Sequence, residues 1–138
     1  MFPLPHIIFS TILSIILYPF IGNNVIIVWS ASIFIDIDHY FWYIKNYKSW
    51  NLYQAYTKHK NHELQKLQRP YKFHIFHLVE LLILIGLLGF YNKIFFYIFI
   101  GMLFHYILDW VDLFWRYNEV RRGRTWSLIM YFKRKWST

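Results

Sequence analysis

Four long apolar runs, parted by two tight breaks and one polar stretch, constrain this chain more than any other feature of it. They cover about Ile7 to Phe20, Val25 to Ile44, Ile75 to Phe90 and Ile94 to Phe114. The runs show neither the alternation of a half-buried strand nor the polar face of a surface helix, so they read as helices with apolar surroundings on every side. Gly22, Asn23 and Asn24 break the first pair, and Gly89 through Lys93 break the second. The expected fold class is all-α: an integral membrane four-helix bundle of two helical hairpins, with a polar cytoplasmic loop at 45–72 and a basic amphipathic C-terminal tail. Residues 1–117 form the membrane-embedded domain in this reading and residues 118–138 the tail. A hydrocarbon core of ~30 Å takes about 20 apolar residues per crossing, so the first and third runs must stand upright, thin the bilayer or enter partway.

Charge gives the expected orientation. The chain has 15 Lys and Arg against 7 Asp and Glu. Lys93 alone falls on the side of the two tight breaks, whereas the other 14 basic residues lie in the central loop and the tail. Positive residues stay on the cytoplasmic side of short loops, which places both termini and the central loop there, in the cell membrane. The tail from Arg116 mixes Trp126, Leu128, Ile129, Met130, Tyr131, Phe132 and Trp136 with cations and reads as a segment lying on anionic lipid. Membrane lipid is the expected partner and nucleic acid is not expected; the sequence does not decide whether the basic tail also binds a protein. The polar run Lys58 to Arg69, with His59 and His62, reads as a solvated helix or loop.

Ionisable residues are costly inside a membrane, roughly 2.5 to 3.5 kcal/mol for an Asp at a helix centre, so a set of them requires mutual pairing or a ligand. Of the 14 His, Asp and Glu residues, ten fall in or beside the apolar runs: His6, Asp36, Asp38, His39, His74, His77, Glu80, His105, Asp109 and Asp112. Threaded through two antiparallel hairpins, all ten reach one leaflet. His105, Asp109 and Asp112 stand at i, i+4 and i+7 on one helical face, and His77 and Glu80 at i and i+3. Asp38 and His39 are adjacent, so a regular helix turns only one of them inward, while a frayed end turns both. Imidazoles and carboxylates from facing helices are how bundles hold metals. The chain has no Cys, which leaves nitrogen and oxygen donors and hence Zn first, with Mn or Fe as alternatives. The number of donors exceeds one tetrahedral shell, which favours two ions. The competing reading is hydrogen bonding across the bundle or a proton relay.

The order of PHIIFS, ASIFIDIDHY, FHIFHLVE and GMLFHYILD resembles the LexA-binding, inner-membrane-associated metal-dependent hydrolases, especially their short archaeal-type members. The resemblance covers about Phe2 to Asp112, and its most specific parts are Asp-Ile-Asp-His at Asp36 to His39 and G-x-x-x-H-x-x-x-D from Gly101 to Asp109. It implies a small membrane hydrolase with metal ligands at His6, Asp38, His39, His77, Glu80, His105 and Asp109. Ile35 stands where the family commonly has Pro, and the His-Arg-Gly and Thr-His-Ser elements before the third helix are absent. The order of N-terminal His, Asp, His and then His-x-x-x-Asp is also similar, more faintly, to zinc-dependent phospholipase C.

The expected function is that of a membrane-bound metal-dependent hydrolase, in which metal-activated water attacks a phosphoester or ester of a lipid-like substrate. A bound divalent ion lowers the pKa of water from about 15.7 to about 7, so no Ser or Cys nucleophile is needed. Asp36 and Asp112 are the expected catalytic carboxylates, orienting a ligand histidine or taking up a proton. The alternative is a non-enzymatic membrane scaffold, or a metal- or proton-handling membrane protein. Transport sits poorly with a far leaflet that holds little beyond Asn23, Asn24, Asn92 and Lys93.

Overall fold

The computed structural model describes residues 3–55, 57, 75–117 and 127–136. His59, His62, His74, most of the 45–72 loop and residues 118–126 of the tail lie outside the described residues. Every described element is helical: α1 Pro3–Ile21, α2 Val25–Phe34, α3 Ile37–Tyr47, α4 Val79–Leu88, α5 Lys93–Tyr117 and α6 Leu128–Trp136, with 3₁₀ turns at Gly22–Asn24 and Ile75–His77.

The α1–α2 hairpin closes where the sequence allows it. Gly22 takes φ +56, a left-handed value that costs glycine nothing, and Asn24 Nδ2 donates to the Ile21 carbonyl at 3.0 Å. Within α1, Thr11 and Ser14 donate their hydroxyls to the carbonyls of Ile7 and Ser10 one turn back, which keeps polar groups satisfied in apolar surroundings. Trp29 Nε1 donates to Thr11 Oγ1 at 3.0 Å, and Ser10 Oγ meets Ser32 Oγ at 2.7 Å with both side chains buried. A hydrogen bond of this kind contributes about 0.5–1.5 kcal/mol net to stability. Ser10→Ala is accordingly expected to lower stability by about 0.5–1 kcal/mol. A double-mutant cycle with Ser32→Ala on the detergent-solubilised protein checks this, since independent losses would show that the pair does not interact.

The second apolar run is not one helix. It breaks at Ile35 and Asp36 between α2 and α3, where the His39 N–H returns to the Asp36 carbonyl at 3.1 Å. Lys48, at φ 49, then ends α3 in the left-handed conformation, its N–H on the Ile44 carbonyl at 2.8 Å. The third run breaks as well: Ile75–His77 is a 3₁₀ turn, Leu78 is extended, and only Val79–Leu88 is α-helical. Asn92 Oδ1 accepts from the Ile94 N–H at 2.9 Å, capping α5.

Helix α5 is the axis, packed against α1, α2 and α4. Ile35, Leu82, Met102 and Tyr106 form a small apolar core flanked by Leu81, Ile85, Ile98 and Phe99. Two helical stretches, Leu4–Lys45 (with its turns) and Lys93–Asp112, are long and apolar enough to cross a membrane. At ten residues α4 is about 15 Å long and is not. The distribution of residue types is inverted relative to a water-soluble domain. His6, Ser10, Ser32, His77, His105, Asp109 and Asp112 are buried, while Ile15, Phe20, Ile26, Leu84, Phe90, Trp110 and Phe114 are exposed.

Candidate metal centre

The centre lies where α1 begins, where α2 gives way to α3, in the turn before α4, and in the second half of α5. His6 comes from α1, and His105 and Asp109 stand at i and i+4 on α5. These are among the least exposed side chains in the molecule, at 2%, 0% and 2%. The His6 and His105 rings stack with centroids 4.0 Å apart. His6 Nε2 lies 3.5 Å from Asp109 Oδ1.

The break in the second run brings in the acids. Asp36 Oδ1 stands 3.5 Å from His105 Nε2 and 3.5 Å from His77 Nε2. Asp109 Oδ2 faces the same two nitrogens at 3.9 and 3.7 Å. Asp38 sits one layer out: Oδ2 accepts from His77 Nδ1 and from the Phe76 N–H, each at 3.2 Å, and Oδ1 accepts from His39 Nδ1 at 2.6 Å. Three overlapping groups result, each with donor atoms within 4.8 Å of one another: His6, His105 and Asp109; Asp36, His77 and His105; Asp38, His39 and His77.

Protonation geometry bears on what these groups can hold. His105 Nδ1 lies 2.7 Å from the carbonyl of Ser32, which can only accept, so this nitrogen carries the proton and Nε2 of the neutral ring is a lone pair. That lone pair is buried, has no hydrogen-bond partner among the described residues, and faces two carboxylate oxygens. Both ring nitrogens of His6 are also buried without a hydrogen-bond partner among the described residues. Lone pairs turned on carboxylates repel unless a cation stands between them. Two ligands of one tetrahedral zinc, each at about 2.1 Å, are about 3.4 Å apart, close to the 3.5 Å separations around Asp36 Oδ1 and too long for good hydrogen bonds. The residues fit a divalent metal.

Several expected site residues take other places. Asp36, expected as a catalytic carboxylate, stands inside a ligand group. Asp38, expected as a ligand, holds His77 and His39 by their Nδ1 atoms, in the way outer carboxylates orient metal-binding imidazoles, and it can also be counted in the third group. Glu80 joins none of the groups. The i, i+3 relation between His77 and Glu80 presumes a continuous helix, and the extended Leu78 cancels it. His77 turns into the cluster while Glu80 Oε1 accepts from Ser127 Oγ and the Leu128 N–H. Asp112 is buried on α5 but belongs to none of the groups.

Sequence reasoning missed Ser32, whose carbonyl sets the His105 tautomer, and Tyr106, whose hydroxyl donates to the Phe76 carbonyl at 3.4 Å and ties the 3₁₀ turn to α5. A serine in each of two facing apolar runs was the available signal for the first. No protein-family model, curated protein or solved structure matches the chain.

Proposed function

We propose that this chain is an integral membrane metal-dependent hydrolase acting on a phosphoester or ester of a lipid-like substrate. The observation that carries the reading is the meeting of Asp36 Oδ1 with two imidazole Nε2 atoms at 3.5 Å, one of them the acceptor nitrogen of the neutral tautomer that the Ser32 carbonyl selects. The membrane half rests on the inverted burial pattern and on two helical stretches long and apolar enough to cross. In this reading the four helical runs form a bundle with both termini and the central loop in the cytoplasm. Helix α4 enters only partway, since about 15 Å covers half of a ~30 Å core.

Asp36, His77, His105 and Asp109 would hold one ion, and His6, with the second oxygen of Asp109, the other. Zinc suits this mixture of imidazole and carboxylate. A bound divalent ion supplies a water of near-neutral pKa and polarises a phosphoryl or carbonyl oxygen. The protein's own contribution is orientation: the Ser32 carbonyl and Asp38 hold the Nδ1 protons of His105 and His77, so that both Nε2 lone pairs point the same way. Asp36, at 25% exposure the most open acid among these donors, faces the side from which substrate and water arrive. A lipid headgroup would reach it laterally.

Full-length protein purified in detergent is expected to contain zinc by elemental analysis and to cleave a member of a phospholipid and phosphomonoester panel. A chelator should stop turnover and added zinc should restore it. Metal without turnover on any substrate would favour the metal-handling reading, and protein without metal after growth in zinc would end the hydrolase and metal-handling readings together and leave the proton relay.

A further inference from the structure

Glu80 joins two helices through one carboxylate. Its Oε1 accepts from Ser127 Oγ and from the Leu128 N–H at 3.0 Å, and Ser127 Oγ accepts from the Ile129 N–H at 3.1 Å. Two N–H groups at the start of α6 that have no partner within the helix are thereby satisfied. The negative charge lies at the positive end of α6 and, at the same time, in the first turn of α4. A nine-residue helix is not stable alone in water, so this junction determines where α6 forms.

The solvent-exposed side of α6 has a particular makeup. Ile129, Phe132 and Trp136 stand at i, i+3 and i+7 on one side and are 65%, 53% and 87% exposed. Lys133 is exposed next to them, Arg134 and Lys135 follow in sequence, and the helix contains no acid. An apolar stripe ending in Trp and edged by cations matches the boundary between acyl chains and anionic headgroups, where the ring sits at the interface and each cation gains from the surface potential. A protein groove would account for the stripe but not for three consecutive cations without an acid.

We propose that α6 is a membrane-surface helix, with its Ile129, Phe132 and Trp136 side set into the headgroup boundary of an anionic bilayer, and that Glu80 is the positioning residue that holds it there, three residues from His77. The proposal rests on the membrane reading above and does not depend on hydrolysis.

The absence of Cys lets single cysteines report one position each. Spin labels at Ile129→Cys, Phe132→Cys and Trp136→Cys, and at Ile107→Cys on the exposed side of α5, are read for collision with oxygen and with a water-soluble nickel chelate. The sample is full-length protein in vesicles of phosphatidylcholine with or without phosphatidylglycerol. With the anionic lipid, all four labels are expected to meet oxygen rather than nickel, and without it the three α6 labels should lose that protection while Ile107 keeps it. Equal depth in both vesicle types would overturn the role given to charge. Nickel access at α6 with Ile107 in lipid would overturn the surface helix alone; nickel access at Ile107 too would overturn the membrane reading beneath it. Shielding of α6 from both reagents would mean that protein covers it, and would also overturn the proposal. Glu80→Ala should mobilise the α6 labels and leave metal content unchanged, with immobilisation partly restored in Glu80→Gln, which keeps an acceptor oxygen. Loss of metal in Glu80→Ala would return Glu80 to the ligand set and overturn its role here.

Discussion

His105→Ala is expected to strip the protein of metal, because His105 is shared by two of the three donor groups. Changes to residues that merely orient a ligand cost 10–100-fold in metal affinity, so loss of the ligand itself should exceed about 100-fold. The stability consequence follows from linkage. An ion present at ~1,000 times its dissociation constant stabilises the folded state by about 4 kcal/mol, and the variant forfeits that. A second, metal-independent loss comes from the Ser32 carbonyl, which is left buried without its donor at a cost of about 1–3 kcal/mol. The two are separated by melting wild type and variant with and without chelator. With zinc the gap should be several kcal/mol, and with chelator it should shrink to the carbonyl term. A gap of equal size in both conditions would make His105 a packing residue, and the metal site would fall with it.

The sequence made the long elements legible and hid the breaks. The first and fourth apolar runs predict α1 and α5 to within a few residues, since Gly22 and the Gly89–Asn92 segment carry recognisable turn chemistry. The interruptions at Ile35–Asp36 and at Leu78 carry no glycine or proline, and the apolar runs continue straight through them. Their cause is tertiary. On an unbroken helix Asp36, Asp38 and His39 would spread over much of the circumference, whereas the break lets Asp36 reach both Nε2 atoms and lets Asp38 reach His77. The same blindness misplaced Glu80, because a three-residue spacing means a shared face only where the helix continues. The gathering of acids and imidazoles near one end of the helices was readable because hydrophobic runs fix direction; which oxygen meets which nitrogen was not, because that depends on two local kinks.

Gly101→Ala is expected to destabilise the protein despite improving helix propensity. Alanine in a helix interior is favoured over glycine by about 1 kcal/mol. Here, however, the new Cβ would stand 2.3 Å from the Val28 carbonyl oxygen, 2.9 Å from the Ala31 Cβ and 3.1 Å from the Ser32 nitrogen. Two of those three atoms are backbone, so no rotamer change relieves the overlap, and α2 must retreat from α5 by about 1 Å to regain ordinary contact. Overpacking of this kind costs about 1–3 kcal/mol, which outweighs the propensity gain. The retreat also carries the Ser32 carbonyl away from His105 Nδ1. Metal affinity should therefore fall together with melting temperature, even though Gly101 supplies no ligand atom. Gly86→Ala is the matched control, because its Cβ would meet only the Phe99 ring at 3.1 Å, a side chain and no backbone atom. If Gly101→Ala melts and binds zinc like Gly86→Ala, the close approach of α2 and α5 is not what seats His105. If it fails while the control holds, the spacing of Gly101, His105 and Asp109 along α5 has one mechanical basis: the glycine admits the neighbouring backbone, that backbone fixes the imidazole one turn on, and the imidazole faces the carboxylate one turn further.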